Sequence, residues 1–323
     1  MNYILPVASG KGGVGKSIFS SSIGLSLAAH GKTTILVDLD LGGANLHTCL
    51  GIKNRNAGVG NLIYKQESHL DSLIIPTEYE RLFFIPGDAL IPGTANLPYF
   101  TKQKILRELH KLVADFIILD LGSGTAYNTV DFFLTSMNGC IVTTPETTAI
   151  LNAYSFLKTT LYRLVYRSFP PRSQERKTVK NFISQRIERS EVTFAELGEE
   201  LAKFNPEAAM QVRDLLRKFI PRVVLNMGKG HADLAVGSKL RQVARKNLEV
   251  EMEYIGYVPH EESVSLSIFQ RRPAYALNRK SQFSRAIDQV TSRLINSPLP
   301  QEPFLFEDDE DIQQLSQELE ERQ

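Results

Sequence analysis

The sequence predicts an α/β protein in which helices doubly wind a mostly parallel sheet of about seven or eight strands, with a helical insertion. Two observations predict this fold. In residues 1–150, short apolar runs alternate with longer segments whose apolar residues recur at three- and four-residue steps, which is typical of βαβ units. A glycine-rich loop at residues 9–17 also separates the first apolar run from the first helical segment.

Seven segments have the composition of strands that are buried on both faces. Each has five or six residues, is rich in Ile, Leu, Val and Phe, and is punctuated by Gly, Pro or Asp. They are residues 3–8, 33–38, 81–86, 115–120, 139–144, 222–226 and 254–258. Between them, the helical periodicity predicts helices at 17–30, 101–113, 128–137, 147–166, 233–247 and 281–296.

The alternation is interrupted at 167–220, which begins with a Ser-Phe-Pro-Pro loop and continues as charged helical sequence without a strand-like run. We interpret 167–220 as a helical insertion within one α/β domain at 1–296, although unusually long crossover helices would give the same pattern. Residues 297–323 form a proline-containing acidic tail that is expected to be flexible. A short helix at 310–321 would be mobile or docked on a basic partner surface.

Composition excludes several classes of protein. The 323 residues are 42% hydrophobic and 23% charged, as in soluble globular proteins. No apolar run approaches the roughly 20 residues of a membrane-spanning helix, so we expect a cytoplasmic protein. The two cysteines, Cys49 and Cys140, offer neither a disulfide framework nor a CxxC pair, and are interpreted as small buried residues.

Charge is unevenly distributed. Residues 163–190 contain eight Lys or Arg against two Glu, whereas residues 301–323 contain nine acids against one Arg. The basic stretch would suit phosphates or anionic lipid, but a solvated helix face is the commoner explanation.

The strongest motif is SGKGGVGKS at residues 9–17, which satisfies G-x-x-x-x-G-K-[ST] between a strand and a helix. Glycines let the backbone approach phosphates, and successive N–H groups at the helix N-terminus hold negative charge. Lys16 is expected to reach the β- and γ-phosphates and Ser17 to bind Mg²⁺. The predicted nucleotide-binding set of the loop is Gly10, Gly12, Gly13, Val14, Gly15, Lys16, Ser17 and Ile18.

Four further residues are candidates for the same chemistry. Lys11 lies on the glycine turn, where a cation could stabilise transition-state charge across a dimer. Asp38 and Asp40 end the second strand, at the edge where open α/β sheets bind ligands, although two acids could simply cap a strand. Asp120 follows FIIL as a Walker B carboxylate expected to hold Mg²⁺ through water.

SGKGGVGKS together with VDLDLGGANLHTCLG resembles the deviant Walker A, or MinD/ParA, family of SIMIBI-type P-loop ATPases over residues 1–166 and 220–296. The resemblance implies Mg-ATP binding and an ATP-dependent homodimer in which Lys11 acts across the interface. It also implies that Asp40 positions the attacking water, that Asp38 lies near the metal, and that Asn226 and Pro259 contact adenine. An amide can pair with adenine's donor and acceptor together, though Asn226 could merely end a strand.

Two segments are more similar to the FlhG branch of this family: Leu-Gly-Ser-Gly at 121–124 and Thr-Thr-Pro-Glu at 143–146. This resemblance implies slow, partner-stimulated ATP hydrolysis that controls flagellar number or placement or division-site selection. The partner would engage 167–220 or the acidic tail. The tail departs from the family, because its charge would be repelled by anionic lipid where family members have a basic amphipathic helix.

Two alternatives remain open from the sequence. A DNA-bound partition ATPase would use a basic face, and a nucleotide-binding scaffold would bind ATP without significant turnover. Whether a membrane or DNA surface is used is left undecided. The candidate basic face comprises Arg271, Arg272, Arg279, Lys280, Arg285 and Arg293.

Overall fold

The structure is a computed structural model, and it describes residues 2–53, 57–87, 97–186, 193–296 and 310–321. Residues 187–192 of the predicted insertion, and 297–309 and 322–323 of the predicted tail, lie outside the described residues.

One sheet of eight strands organises the described chain, in the order β3-β4-β2-β5-β1-β6-β7-β8. All neighbouring strands are parallel except β3, which pairs antiparallel with β4 at one edge. The fold class and all seven predicted strands are confirmed. The strands are β1 (Tyr3–Ser9), β2 (Thr34–Leu39), β3 (Ile75–Pro76), β4 (Leu82–Ile85), β5 (Phe116–Ser123), β6 (Cys140–Thr143), β7 (Arg222–Gly228) and β8 (Glu253–Pro259).

Helices cover both faces of the sheet, which explains why the central strands are continuously apolar. In β5, Ile117 and Leu119 point into one core and Phe116 and Ile118 into the other. The helices are α1 (Lys16–Ala29), α2 (Leu46–Cys49), α3 (Val59–Ile63), α4 (Tyr99–Lys111), α5 (Tyr127–Phe133), α6 (Thr147–Ser168), α7 (Gln174–Arg186), α8 (Phe194–Ala202), α9 (Pro206–Lys218), α10 (Ala232–Leu248), α11 (Glu262–Phe269), α12 (Ala274–Leu277), α13 (Gln282–Asn296) and α14 (Glu310–Glu320).

The six helices predicted from periodicity correspond to α1, α4, α5, α6, α10 and α13. The short elements β3, α2, α3, α11 and α12 were not predicted, because two to eight residues are too few to establish a period. None of the helices among the described residues is long and apolar enough to cross a membrane.

The described residues of 167–220 form three helices, α7, α8 and α9, after the end of the long helix α6. Local sequence sets their ends: Thr193 and Glu196 make a capping box at α8, and Asn205 caps α9 ahead of a first-turn proline. Their apolar residues join the core on the α6 side of the sheet, and the Phe194 ring stacks on Tyr162 at 4.7 Å. These helices therefore extend the helical layer on this side of the sheet.

The basic stretch at 163–190 is partly committed to internal contacts. The buried carboxylate of Asp131 accepts hydrogen bonds from Arg163 (2.7 and 2.9 Å) and Arg167 (3.1 Å), and also pairs with Lys102. The Arg176 guanidinium lies 4.3 Å from the centre of the Tyr166 ring. Part of this charge thus fixes α6 against α4, α5 and α7.

The acidic C-terminal helix α14 is docked on the same chain, in contrast to the flexible tail expected from its charge. Asp311 forms a buried ion pair with Arg241 of α10 and accepts a hydrogen bond from the Tyr254 backbone N–H at 2.6 Å. Ile312 and Leu315 are buried beside it. The basic surface that receives this helix belongs to the chain itself, which the sequence did not reveal.

Candidate functional site

The glycine-rich loop joins β1 to α1 at the carboxyl edge of the sheet. Gly13 and Gly15 both have φ of 81°, a backbone conformation that favours glycine. Gly10 is needed for a different reason, since a Cβ there would lie 2.1 Å from the Asn152 carbonyl oxygen of α6. A Cβ at Gly12 would lie 3.6 Å from Ser123 Oγ. The loop therefore passes close to α6 and β5.

Lys16 is the first residue of α1, and its ammonium group is buried at the end of the loop. Its Nζ lies 2.9 Å from Asp120 Oδ1 and 3.4 Å from Ser17 Oγ. The hydroxyl of Ser20, one helical turn further, donates to the same Asp120 oxygen at 2.8 Å. The Lys16 and Asp120 side chains are only 7% and 1% exposed, so this ion pair interacts through little water.

Asp38 and Asp120 face each other because β2 and β5 pair in register at these two residues. Asp38 is fully buried and accepts backbone hydrogen bonds from Asp40 and Leu46, each at 3.1 Å. Burial, and then the facing Asp120 carboxylate, raises the pKa of Asp38 to about 8. The hydrogen bond from the Leu46 N–H also holds the start of α2 against Asp38.

Asp40 lies at the mouth of the site, immediately after β2, and is half-buried. Burial raises the pKa of its carboxyl, the Lys16 charge opposes that shift, and the Asp120 charge adds to it. Asp40 lines a cleft of about 190 Å³ together with Gly122, Ser123 and Thr129. This cleft has room for water beside a carboxylate.

Lys11 reaches the N-terminal end of α6. Its Nζ is 3.3 Å from Thr148 Oγ1 and 3.6 Å from Glu146 Oε2, and its side chain remains 43% exposed. Glu146 belongs to the Thr-Thr-Pro-Glu turn that follows β6. The sequence suggested neither partner for Lys11, since they are far along the chain.

Asn226 and Pro259 line one cleft on the other side of α1, together with Ile18 and Phe283. The Asn226 side chain is buried and its Nδ2 donates to the carbonyl of Val14 at 2.8 Å. Asn226 thus supports the phosphate loop as well as facing the cleft where a base is expected.

The oxygen donors at the site fit Mg²⁺. Asp120 Oδ2 is buried and has no hydrogen-bond partner among the residues that the structure describes. The same residues contain no group of three or more His, Cys, Asp or Glu that could hold a metal by itself. Mg²⁺ is commonly held by one or two carboxylates together with substrate phosphates, and Ser17, Asp38 and Asp120 supply donors of that kind.

Comparison with known proteins finds relatives by sequence and by fold. The ParA family model, described as "NUBPL iron-transfer P-loop NTPase", matches residues 1–160. The Helicobacter pylori "Flagellum site-determining protein YlxH" is 34% identical over 163 residues, covering 48% of this chain and 52% of that protein. The Pseudomonas aeruginosa "Antiactivator FleN" is 22% identical over 303 residues, covering 93% of this chain and 89% of that protein.

The solved structure of the septum site-determining protein MinD from Pyrococcus horikoshii, complexed with Mg-ADP, superposes with a TM-score of 0.61 at 16% identity. The match covers 92% of this chain and 97% of that one. Residues 1–160 belong to the ParA/MinD family of P-loop NTPases. The chain's alignment with the Helicobacter relative spans about half of that relative's length.

The iron-transfer part of the ParA description finds no support in the two cysteines. Cys140 is fully buried and Cys49 is partly buried, and burial raises the pKa of both thiols to about 12. Cysteines with such high pKa values are poor metal ligands, because the thiolate is the form that binds metal.

Several residues of this ParA/MinD site were missed by sequence reasoning. Ser20 could have been found, since a residue four positions after Lys16 lies on the same helix face. Leu46 and Glu146 lay within segments singled out by resemblance, but nothing in the sequence indicated their contacts, and Thr148 carried no signal, because each reaches the site only through the folding of the chain.

Proposed function

We propose that the protein is a Mg-ATP-dependent dimerisation switch that hydrolyses ATP to ADP and phosphate. One observation carries the proposal: three carboxylates, Asp38, Asp40 and Asp120, converge on the buried Lys16 at the end of a glycine-rich loop. Asp38, with a pKa of about 8, is mostly neutral at pH 7, but the Asp40 and Asp120 carboxylates still outnumber the single buried lysine. A divalent cation brought in with a nucleotide would neutralise this excess negative charge.

Phosphate binding follows from the loop and its lysine. The backbone N–H groups of Gly12 to Gly15 and the N-terminus of α1 attract phosphate oxygens. Lys16 can exchange its bond with Asp120 for one with the β- and γ-phosphates. Ser17, Asp38 and Asp120 would hold Mg²⁺, which neutralises phosphate charge when bound.

Asp40 is the residue proposed to position the water that attacks the γ-phosphate. It lies at the cleft beside Gly122, where a Cβ would come within 3.4 Å of Asp40 Oδ1. Glycine at that position keeps the approach to the carboxylate open. The raised pKa of Asp40 makes the carboxylate a better proton acceptor than an ordinary surface aspartate.

Lys11 is proposed to act across a homodimer. In the monomer it contacts Glu146 and Thr148 of its own chain, and these contacts at a 43% exposed side chain are weak enough to exchange. A γ-phosphate in a partner subunit would attract the same ammonium group more strongly. Lys11 therefore links nucleotide binding to association.

The similarity to "Flagellum site-determining protein YlxH" and to "Antiactivator FleN" supports a role in placing or numbering flagella, and similarity to MinD supports division-site selection. We place the switch in the cytoplasm, and a protein partner is a candidate for recruiting it to a membrane or nucleoid surface. The helices α7 to α9 are a candidate partner-binding region, because α9 exposes Met210 beside a cleft of about 450 Å³.

The solution mass in the presence of Mg²⁺ with ADP or ATP tests the proposal, alongside phosphate release. Three proteins are compared: wild type, Asp40→Ala and Lys11→Ala. We expect wild type to dimerise with ATP and then dissociate, Asp40→Ala to remain dimeric with ATP, and Lys11→Ala to remain monomeric while still binding ATP.

A mass that never responds to ATP would refute the switch. ATP binding without phosphate release, even with a cell extract added, would instead identify a nucleotide-binding scaffold. ATP-dependent retention on duplex DNA would identify a partition ATPase.

A further inference from the structure

The C-terminal turn of α11 exposes three large apolar side chains, Leu266, Ile268 and Phe269, which we call the α11 tip. Their exposed fractions are 55%, 40% and 89%. Ser267, between them, is buried and donates its hydroxyl to the Val264 carbonyl at 2.7 Å. The helix is therefore attached through one side, while its tip projects apolar groups into solvent. Clustered exposed apolar groups of this kind mark interaction sites.

Exposed cations follow the tip directly. Arg271 and Arg272 are exposed, and Arg271 has φ of 51° just after the helix ends. Glycine is strongly favoured at such a position, and an arginine there costs backbone energy. An unfavourable residue at a solvent-facing turn points to a role for its charge.

The segment around the tip contains no counter-charge. Residues 263–287 include no Asp or Glu, and all five of their basic residues are exposed: Arg271, Arg272, Arg279, Lys280 and Arg285. Glu261 and Glu262 stand at the opposite end of α11, and Glu261 is occupied by hydrogen bonds from Ser263 and the Phe283 backbone. The tip thus combines apolar side chains with a chain segment whose charged side chains are all basic.

We propose that the α11 tip is a docking surface for an anionic lipid bilayer. Insertion of Leu266, Ile268 and Phe269 among acyl chains buries apolar area, and the adjacent arginines attract lipid phosphates. A duplex would engage the arginines but would give no comparable role to three apolar side chains on one turn. The favoured occupant is therefore a bilayer surface.

The tip is also connected to the nucleotide site. Val264 and Ser265, in the first half of α11, line the same cleft as Asn226 and Pro259. On the other side, a Cβ at Gly51 would lie 2.3 Å from the Arg271 carbonyl oxygen, so the loop after α2 packs directly against the turn that follows the tip. Control of docking by the nucleotide, through these contacts, rests on the proposed function. Docking on the bilayer does not depend on it.

Flotation of the 323-residue chain with lipid vesicles tests the inference, with and without Mg-ATP. Vesicles of phosphatidylcholine alone are compared with vesicles that also contain phosphatidylglycerol. We expect binding only to the anionic vesicles. Phe269→Glu should weaken that binding by about tenfold or more, because transfer of the Phe ring from water into the acyl chains contributes strongly to the binding free energy. Phe100→Glu is the matched control, because Phe100 is 82% exposed on α4, and it should leave binding unchanged.

Arg271→Gly separates docking from folding. Glycine relieves the positive φ, so the thermal midpoint should be equal to or higher than that of wild type. Vesicle affinity should nevertheless fall by about fivefold, the effect of one basic residue near an anionic surface. A weakened affinity in a protein of undiminished stability would support docking through this charge.

Three results would overturn the inference. The first is that no vesicles are bound in any nucleotide state, and the second is that Phe269→Glu binds vesicles as well as wild type does. The third is that Phe269→Glu loses the ATP-dependent dimer, which would show that the tip contacts a second copy of the chain. Vesicle binding by a protein whose mass ignores ATP would refute the dimerisation switch while leaving the docking surface in place.

Discussion

The replacement Lys16→Met removes the one buried cation from the carboxylate cluster while keeping a similar side-chain length. The pair that it breaks, Lys16 with Asp120, is 7% and 1% exposed. Removing one member of a buried pair costs about 3–5 kcal/mol, because the other charge stays buried without compensation. Ser20 still donates to Asp120 in the variant, so we expect a loss near the lower value, about 3 kcal/mol.

The free energy of unfolding is measured by urea titration followed by far-UV circular dichroism at neutral pH. Two comparisons define the result. Glu251→Gln breaks an ion pair with Arg245 whose side chains are about one-third exposed, and should cost below about 1 kcal/mol. The double variant Lys16→Met with Asp120→Asn removes both charges and should recover about half of the loss or more.

A free energy of unfolding for Lys16→Met within about 1 kcal/mol of the wild-type value would refute this reasoning, because it would mean that water already screens the ion pair. The same variant should lose affinity for a fluorescent ATP analogue. Asp120→Asn, which keeps the lysine, should bind the nucleotide but lose the enhancement by Mg²⁺. These two binding results distinguish the role of the lysine toward phosphate from its role in stability.

Three other predictions concern separate parts of the molecule. Asp311→Ala should destabilise the fold by up to about 3–5 kcal/mol in urea titration, because Arg241 loses its buried partner, and limited proteolysis should then remove α14. The raised pKa of Asp38, about 8, means that the folded state binds more protons than the unfolded state between about pH 4 and 8. The free energy of unfolding should therefore fall as pH rises through that window, by up to about 1.4 kcal/mol per pH unit, and Asp38→Asn should flatten the profile. Gly10→Ala should weaken ATP binding by about tenfold or more, because the new Cβ meets the Asn152 carbonyl oxygen at 2.1 Å.

Each of these has a matched control. Glu318→Gln breaks the half-buried pair of α14 with Arg293 and should cost less than Asp311→Ala. Gly13→Ala adds a Cβ that has no atom within 4 Å, so its only cost is the strain of an alanine at positive φ. ATP affinity should therefore fall less in Gly13→Ala than in Gly10→Ala. An equal loss in both glycine variants would show that contact with α6 does not shape the loop. A pH profile identical in wild type and Asp38→Asn would show that Asp38 is ionised throughout.

Much of the fold could be predicted because its central strands carry a local signal. β1, β2, β5 and β7 are buried on both faces, so each appears as an uninterrupted apolar run whatever its neighbours are. Elements such as β3 and α2 gave no such signal, and the docking of α14 depends on Arg241 and Tyr254, which are distant in sequence. The acidic composition of α14 alone indicated a segment that is mobile or docked on the basic surface of a partner.

The sequence by itself determined which residues form the phosphate loop, because spacing, glycines and the flanking strand and helix are all local properties of the chain. Only the tertiary structure decided how those residues meet. The register of β2 and β5 places Asp38 opposite Asp120, and the packing of β7 against the loop brings Asn226 to the Val14 carbonyl. Periodicity and turn chemistry act over a few residues, whereas strand register and charge pairing between distant segments are fixed by the packing of the whole sheet.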